Sequence, residues 1–409
     1  MNIKDFYGKN ADIGALSARV DKLSLSFENV TGEKPKLWYS SSGRAEIIGN
    51  HTDHNHGKVI VAAISCDILA AVKKKNDGII EIRSEGFAPF CFSVNDLEPR
   101  KEEEGKSIAL ARGVVKGLSD RGYAVGGFLA VCDSTVFRGA GVSSSAAYEL
   151  LVCEILNDLY LSGALSKVDK AIVSQFAENV YFGKPCGLLD QSGISLGGIN
   201  SIDFADPDHP VIEKLDPPKG YTLVITNTGG SHAALTEHYA AIKKEMREVA
   251  SFFGKTVLRE VPFKQFFDSI SQLRKQVSER AILRAFHFYE ENDRVDLAAD
   301  ALRCGDVKKF LIAVSESGSS SLNCLQNCFV PGSDEQPVVL ALHMSEHLIR
   351  DGAVRIHGGG FAGTILAYLA DTEVEDYVSE MGMVFGSENV FTASVRIPGA
   401  TRIDINNLL

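Results

Sequence analysis

The chain has 409 residues, of which 45% are hydrophobic and 23% are charged, and these values are typical of a globular protein. A chain of this length exceeds what one hydrophobic core serves comfortably, so we expect two domains of comparable size with a cleft between them. The 42 basic and 53 acidic residues give a net charge of −11, which argues against a nucleic-acid partner.

The sequence shows no pattern for secretion or membrane insertion. It has no apolar run of about twenty residues, and residues 1–5 lack the apolar core of a signal peptide. Its eight cysteines lie among apolar residues, a pattern that favours free thiols over a disulfide framework. We therefore expect a cytoplasmic protein without a membrane partner, present as a monomer or a weak homo-oligomer.

The first distinctive segment is residues 43–57, which places Arg44, several hydrogen-bonding side chains and three glycines between apolar stretches. A core strand or helix would spread such groups along one face. A polar run of this kind needs a partner rich in hydroxyls or charge. The segment therefore predicts a binding loop for a small polar ligand.

The next predicted element is a β-hairpin. Residues 66–74 and 79–82 flank the tripeptide Asn76-Asp77-Gly78. Asp-Gly supplies the positive φ that a tight turn requires, so we expect the two strands to pair with each other.

A glycine-rich segment follows at residues 139–147. Its glycines allow the backbone to approach a ligand closely, and the helical pattern after Ser145 points unpaired amides and a positive dipole end toward a bound anion. The serine hydroxyls can add hydrogen bonds or hold Mg²⁺. The segment matches neither the Walker nor the dinucleotide pattern, and a Gly-Ser turn with serines capping a helix is the alternative.

Two amphipathic helices and one junction complete the predicted elements. Leu151, Ile155 and Leu159 recur at four-residue spacing and predict one buried helix face. The proline-rich stretch 206–218 predicts the junction between domains 1–210 and 211–409. After it, a second helix carries its apolar residues at Ile242, Met246, Val249 and Phe253.

Two further motifs carry chemistry. Residues 187–191 read Gly-Leu-Leu-Asp-Gln and follow Ala177-Glu178-Asn179, which suggests a carboxylate at Asp190 that is held in place, although a helix cap is the alternative. Residues 355–363 form a third glycine cluster, which by itself also fits a sharp turn.

In order and spacing, these four motifs resemble the galactokinase branch of the superfamily that also holds homoserine, mevalonate and phosphomevalonate kinases (the GHMP kinases). Residues 43–57 are similar to the galactokinase signature, and residues 139–147 to the phosphate loop of the superfamily. Residues 177–191 resemble the segment with the catalytic aspartate, and residues 355–363 resemble the third glycine motif. Four motifs in register make a chance match very improbable.

The resemblance implies an α+β, two-domain GHMP kinase fold with the active site in the interdomain cleft. It also implies transfer of the γ-phosphoryl group of MgATP to the anomeric hydroxyl of galactose. Asp190 would contact that hydroxyl and Arg44 would lie beside it, keeping the carboxylate ionised. Arg44 would also stabilise charge on the transferring group.

The resemblance assigns the remaining site residues by motif. ATP would lie on Gly139, Ala140, Gly141, Ser143, Ser144 and Ser145, and Mg²⁺ on Ser144 and Glu178. The sugar would contact Asn50, His51, Asp53, His54, Gly187 and Tyr239. The assignment of Tyr239 requires a one-residue insertion relative to the family pattern.

The chain departs from the galactokinase signature at two positions. The signature glutamate that contacts the 6-hydroxyl is Asn50 here, and the signature tyrosine is His54. A glutamate would repel the carboxylate that a uronic acid carries at carbon 6, whereas an amide and an imidazole can accept it. A kinase for a related sugar such as galacturonic acid is therefore the alternative to galactose.

Two readings from other classes stay open at this point. The cluster of His51, His54 and His56 with Asp53 allows a metal-dependent hydrolase, although the chain supplies no complementary ligand motif. A catalytically silent relative that senses sugar and ATP is the other reading. The complete phosphate loop, together with Arg44 and Asp190, favours catalysis over it.

Overall fold

The computed structural model describes residues 2–9, 11–136, 141–229 and 235–408. The strands are β1 Leu37–Ile48, β2 Lys58–Lys75, β3 Ile79–Ser84, β4 Phe90–Ser93, β5 Gly127–Ser134, β6 Ile199–Asp203, β7 Val211–Leu215, β8 Tyr221–Asn227, β9 Gly352–His357, β10 Thr364–Ala370, β11 Val390–Ala393 and β12 Thr401–Ile403. The α-helices are α1 Ile3–Tyr7, α2 Ile13–Thr31, α3 Ser107–Ser119, α4 Ser144–Leu161, α5 Lys167–Phe176, α6 Leu189–Leu196, α7 Thr236–Phe252, α8 Phe263–Asp268, α9 Ile270–Leu273, α10 Glu279–Cys304, α11 Val307–Ser320, α12 Pro337–Leu348, α13 Val374–Phe385 and α14 Ile405–Leu408.

The larger sheet is built around the long strand β2. The sheet runs in the order β12-β1-β2-β5-β3-β4, and β6 pairs with another part of β2 and with β7. The apolar residues of β2 are buried along most of the strand. A strand that is covered on both faces needs such a continuous apolar run. Helices α3, α4 and α6 pack on this sheet, and the segments at the start of α4 and before α6 line the cleft.

The predicted hairpin is wrong in its pairing. The strands β2 and β3 and the turn between them are present, but β5 lies between the two strands. β5 runs antiparallel to β2 and parallel to β3, with Ile80 opposite Phe128. The Asp-Gly turn determines where the chain bends. The pairing is determined by the fully buried side chains of β5, such as Phe128 and Ala130, which fill the space between the two strands.

The smaller sheet has the order β11-β8-β10-β9 and belongs to the second half of the chain. A domain boundary at residue 210 would separate β7 from its partner β6, because the two strands are paired from Ile199 with Leu215 to Asp203 with Val211. We therefore propose a boundary between Leu215 and Tyr221, where Pro217-Pro218 lies. The chain then returns to the larger sheet through β12, which pairs with β1.

Both predicted amphipathic helices are confirmed. In α4, Leu151 and Ile155 are buried and Leu159 is half-buried. In α7, the residues Ile242, Met246 and Val249 are buried, and Phe253 caps the helix. All eight cysteines are free thiols, as their scattered positions predicted. Within the described ranges, we find no helix of the length and apolarity that a bilayer crossing would need.

A buried ion-pair cluster ties the C-terminal return of the chain to the larger sheet. Asp67 of β2 and Arg396 are both fully buried, and their side chains lie 3.3 Å apart. Arg19 of α2 also reaches Asp67, at 2.6 Å. Arg396 donates further hydrogen bonds to the backbone oxygens of Ser40, Pro398 and Gly399. Removing this guanidinium would leave several buried acceptors without a partner.

We predict that Arg396→Met lowers the free energy of unfolding by about 3 to 5 kcal/mol, because it removes one partner of a buried ion pair. Urea unfolding followed by circular dichroism measures the change. Arg402→Met is the matched control, since Arg402 of β12 is 54% exposed and its contact with Asp158 is 3.5 Å long. The control should cost at most about 1 kcal/mol. Equal losses in the two variants would contradict a structural role for the buried cluster.

Candidate active site

An open cleft of about 1570 Å³ brings the four sequence motifs together. Its walls come from β1, the loop after β1, the start of α4, the segment before α6, most of the length of α7, the segment before α10 and the loop between β9 and β10. Glu46 and His357, which are 311 positions apart in sequence, thus line one cavity. Large concave sites with a few convergent polar groups are where small-molecule ligands bind.

The central contact of the cleft is an ion pair between Arg44 on β1 and Asp190 on α6. Both Nε and the second terminal nitrogen of Arg44 lie 2.8 Å from Oδ1 of Asp190. Arg44 also donates to the backbone oxygen of Gly141, and Ser143 donates from its hydroxyl to Oδ2 of Asp190. The pair therefore connects the sugar-signature strand, the phosphate loop and the predicted catalytic segment.

The charge of Asp190 is stabilised by its neighbours. Burial by itself would raise the pKa of this carboxyl, but Arg44, Lys184 and the hydrogen bond from Ser143 outweigh it and hold the pKa below its usual value. Asp190 is thus ionised at neutral pH. Its side chain keeps 23% of its surface exposed to the cleft, so it can contact a ligand.

The phosphate-loop serines lie at the start of α4. Ser143 has a left-handed backbone, with φ of 61°, and Ser144 is the first residue of the helix. Gly141 is also left-handed, and a Cβ there would lie 2.3 Å from Oγ1 of Thr364. Gly141, Ser143, Ser144 and Ser145 all line the cleft. Of the other residues predicted to hold ATP, Gly139 and Ala140 lie outside the described residues.

Glu178, predicted to bind Mg²⁺, is fully buried just behind the phosphate loop. Its Oε1 accepts a hydrogen bond of 2.8 Å from Ser145 and pairs with Lys184 at 3.0 Å. Gln191 donates to its Oε2 at 2.7 Å. The structure therefore pairs Glu178 with Ser145, the residue next to the predicted Ser144.

The loop after β1 presents His51, Asp53 and His54 to the cleft. Oδ2 of Asp53 accepts from the backbone of Leu189 at 3.2 Å, which anchors the loop to α6. Gly187 must be a glycine because a Cβ there would lie 1.8 Å from Oδ2 of Asp53. These contacts bring the signature loop and the Asp190 segment into one wall.

The two histidines of this loop that line the cleft, His51 and His54, are neutral. Burial lowers the pKa of His51 to about 4, and its Nε2 donates to the backbone oxygen of Gly359 at 2.9 Å. Burial also lowers the pKa of His54 well below its usual value. Nδ1 of His54 lies 2.9 Å from the amide of Asn55, and its Nε2 has no hydrogen-bond partner among the described residues. Among the described residues, no group of three or more His, Cys, Asp or Glu side chains is placed to hold a metal ion.

Asn50 lies behind the cleft wall and not in it, in contrast to the sugar contact that its motif position implied. It is 1% exposed. Its Nδ2 donates to Glu46 at 2.6 Å and to the backbone oxygen of Gly358 at 2.8 Å. Its Oδ1 accepts from Asn327 at 2.7 Å. The amide is thus fully engaged by protein groups, because the loop folds back onto the third glycine motif.

The charged cleft residues that the sequence reasoning missed include Glu46, Lys184 and Lys243. Glu46 could have been found, because it lies two positions after Arg44 on one strand and so projects to the same face. Lys184 and Lys243 lie in a loop and on a helix whose approach to the cleft depends on tertiary packing. No sequence pattern marks these two lysines.

Tyr239 on α7 lines the cleft, as the motif assignment implied. Its hydroxyl donates to the backbone oxygen of Gly360 at 3.0 Å, and its ring packs edge-on against Phe361. His357 is buried, with Nε2 accepting from the backbone of Glu46 at 3.1 Å and Nδ1 lying 3.0 Å from Oγ1 of Thr364. His357 therefore joins β9 to β1.

Comparison with known proteins shows two matching family models. Residues 25–74 match the galactokinase galactose-binding signature, and residues 109–198 match the GHMP kinase N-terminal domain. Among solved structures, Lactococcus lactis galactokinase complexed with galactose superimposes with a TM-score of 0.81 at 24% identity, covering 96% of this chain and all of that one. Methanococcus jannaschii mevalonate kinase gives a TM-score of 0.61 at 13% identity over 88% of this chain and 98% of that one. These likenesses confirm the predicted fold.

The sequence relatives are more similar. A galactokinase of Glaesserella parasuis is 30% identical over 362 residues, which is 87% of this chain and 91% of the relative. A galactokinase of Actinobacillus pleuropneumoniae is also 30% identical, over 81% of this chain and 85% of its own length. The chain therefore belongs to the galactokinase family of the GHMP kinases and is an ATP-dependent sugar kinase.

Proposed function

We propose that this protein transfers the γ-phosphoryl group of MgATP to the anomeric hydroxyl of galactose. The observation that carries the proposal is the ion pair of Arg44 and Asp190, 2.8 Å apart, facing the phosphate loop inside the cleft. The family membership supplies the class of reaction. The galactose-binding signature at residues 25–74 and the galactokinase relatives support the choice of sugar.

In this mechanism Asp190 accepts a hydrogen bond from the anomeric hydroxyl and orients its oxygen toward the γ-phosphorus. A carboxylate with a lowered pKa is a weak base, so proton transfer follows formation of the new bond, when the attacking oxygen becomes more acidic. The new bond joins the sugar oxygen to phosphorus, the bond to the bridging oxygen of ADP breaks, and the proton leaves through Asp190. Arg44 stabilises charge on the transferring group.

Mg²⁺ prefers hard oxygen ligands and commonly takes one or two protein ligands besides phosphate oxygens and waters. Ser144 lines the cleft at the start of α4, so its hydroxyl fits such a ligand. Glu178 is fully buried, and its oxygens are engaged by Ser145, Lys184 and Gln191, so it would hold Mg²⁺ only if the contact with Lys184 were broken. Bound there with ATP, Mg²⁺ would neutralise charge on the phosphates. Lys184, which pairs with Glu178, adds a further cation beside the phosphate loop.

One of the two arguments for galacturonate as the substrate is weakened. That argument assumed that the uncharged amide of Asn50 faces carbon 6 of the sugar. Asn50 is instead hydrogen-bonded to protein groups, and the carboxylate of Glu46 lines the cleft. One observation still favours an anionic sugar: Nε2 of His54 has no partner among the described residues, and Lys243 lines the same cleft. The specificity constants for galactose and galacturonate distinguish the two substrates.

We expect the specificity constant for galactose to exceed that for galacturonate by at least about a hundredfold, because placing two carboxylates side by side costs several kcal/mol. A coupled assay of ADP release with each sugar measures the ratio. Glucose serves as the neutral control for general hexose binding. A ratio near one, or a preference for galacturonate, would reject galactose as the main substrate.

Asp190→Ala should lower kcat by about 10²- to 10⁴-fold, because the group that orients the attacking hydroxyl is gone. The dissociation constant for ATP, measured by calorimetry, should change little. Asp203→Ala is the control, since this carboxylate pairs with Arg259 away from the cleft and should leave kcat unchanged. Turnover in the Asp190 variant comparable to that of wild type would show that another carboxylate carries the reaction.

Arg44→Met should move the acid limb of the kcat/KM profile to higher pH. Asp190 works as the ionised form, so activity is present above its pKa and is lost as the pH falls through it. Removing the cation raises that pKa, and the loss then begins at higher pH. The variant should also lose about 10²-fold in kcat at its optimum.

Arg83→Met, at an exposed arginine paired with Glu81, is the control for the pH profile and should reproduce the wild-type curve. An unshifted acid limb in Arg44→Met would mean that the limb reports a group other than Asp190.

A further inference from the structure

A carboxylate enters the cleft from β1 at a position to which the motifs assign no role. Glu46 is 5% exposed, lines the cleft and lies two residues after Arg44 on the same strand. Its backbone N–H donates to His357 at 3.1 Å, so the strand is fixed at this point. A buried carboxylate beside a ligand cavity requires an explanation, because an acidic group out of water needs hydrogen-bond partners.

The two oxygens of this carboxylate are in different situations. Oε1 accepts from Nδ2 of Asn50 at 2.6 Å and pairs with Arg355 at 3.3 Å. Asn50 is itself held by Asn327 and by the backbone oxygen of Gly358. No hydrogen bond to Oε2 occurs within the described part of the chain. The side chain is thus rigidly held by one oxygen, and the other is available to the cleft.

We infer that Glu46 is a specificity-determining residue, whose Oε2 accepts a hydrogen bond from a hydroxyl of the bound sugar and repels sugars that carry a carboxylate at that place. This inference rests on the proposed function, since it concerns the same sugar site. Asn50 and Arg355 then act as positioning residues that hold Oε1. A carboxylate oxygen is a strong acceptor for a sugar hydroxyl, and a charged partner strengthens the hydrogen bond.

A purely structural role is the competing explanation. Arg355 is fully buried and also donates to the backbone oxygen of Ile47 at 2.9 Å. Glu46 would then merely neutralise this guanidinium. A substitution of Glu46 distinguishes the two roles. If the role is purely structural, the substitution lowers stability alone. If Glu46 determines specificity, the substitution changes KM and the choice of sugar.

The test is Glu46→Gln, which keeps the size of the side chain and an oxygen for Asn50. We expect KM for galactose to rise about tenfold or more with kcat nearly unchanged, because a hydrogen bond to a charged group is lost. The ratio of specificity constants for galactose over galacturonate should fall by about the same factor. An unchanged KM together with a lower melting temperature would overturn the inference.

A matched control separates sugar binding from the loss of a buried ion pair. Glu103→Gln breaks a similar buried pair, with Arg112 at 2.7 Å, in a part of the chain that does not line the cleft. This variant should lower the melting temperature and leave KM for galactose unchanged. A rise in KM of the same size as in Glu46→Gln would show that instability alone explains the effect.

Deoxygalactoses lacking the 2-, 3-, 4- or 6-hydroxyl identify the partner of Oε2. For the sugar without that hydroxyl, wild type and Glu46→Gln should have the same kcat/KM, because the shared interaction is already absent. If Glu46→Gln lowers kcat/KM equally for galactose and for every deoxy sugar, Glu46 contacts no hydroxyl and the inference fails.

The wild-type enzyme offers a test that does not depend on a folded variant. Burial, together with the nearby Asp190, raises the pKa of Glu46 to about 7, against the lowering effects of Arg355, Arg44 and the hydrogen bond from Asn50. His357 beside it is neutral. KM for galactose should therefore fall as the pH rises from about 6 to 8 and Glu46 becomes ionised. A flat KM over this range would count against the inference.

The two proposals fail in different ways. If the wild-type enzyme phosphorylates no galactose, the proposed function is wrong whatever Glu46 does. If the wild type phosphorylates galactose and Glu46→Gln matches its KM and its sugar preference, only the role of Glu46 is wrong.

Discussion

The ion pair between Arg44 and Asp190 is the contact on which the rest of the site depends. A carboxylate that must stay ionised in a partly dry cleft needs a permanent cation beside it, because burial alone would favour its neutral form. Arg44 supplies that cation and also binds the backbone of Gly141. One guanidinium thus stabilises the charge of Asp190, the proposed catalytic carboxylate, and the position of the phosphate loop. The strand, the loop and α6 cannot move apart without breaking it.

The histidines of the cleft contribute hydrogen bonds rather than charge. Burial lowers the pKa values of His51, His54 and His357, so the three rings are neutral near pH 7. Their nitrogens then act as fixed donors and acceptors, with the tautomer set by each partner. The charge of the cleft therefore comes from arginines, lysines and carboxylates. Among them, Glu46 has a pKa that burial raises to about 7.

In the proposed function, the choice of sugar depends on which side chain places a carboxylate in the cleft, here Glu46, and not on the residue at the signature position, here Asn50. Asn50 taken alone suggests a site that has lost a negative charge. The folded chain joins Asn50 to Glu46 through a hydrogen bond of 2.6 Å, and Glu46 lines the cleft. The electrostatic argument for a uronate at that point is therefore weakened. The unpaired nitrogen of His54 remains the feature that favours an anion.

The sequence by itself was sufficient for the fold family, the two buried helix faces and several of the residues that meet in the cleft, such as Arg44, Ser144 and Asp190, because these follow from local patterns and from motifs in register. Only the tertiary structure decided the insertion of β5 between β2 and β3, the return of β12 to the first sheet, the burial of Asn50 and the exposure of Glu46 to the cleft. Each of these outcomes depends on contacts between segments that are distant in sequence. Local propensity carries no information on which distant strand, loop or guanidinium will fill a given space. That partner is determined by packing and charge pairing in the folded chain.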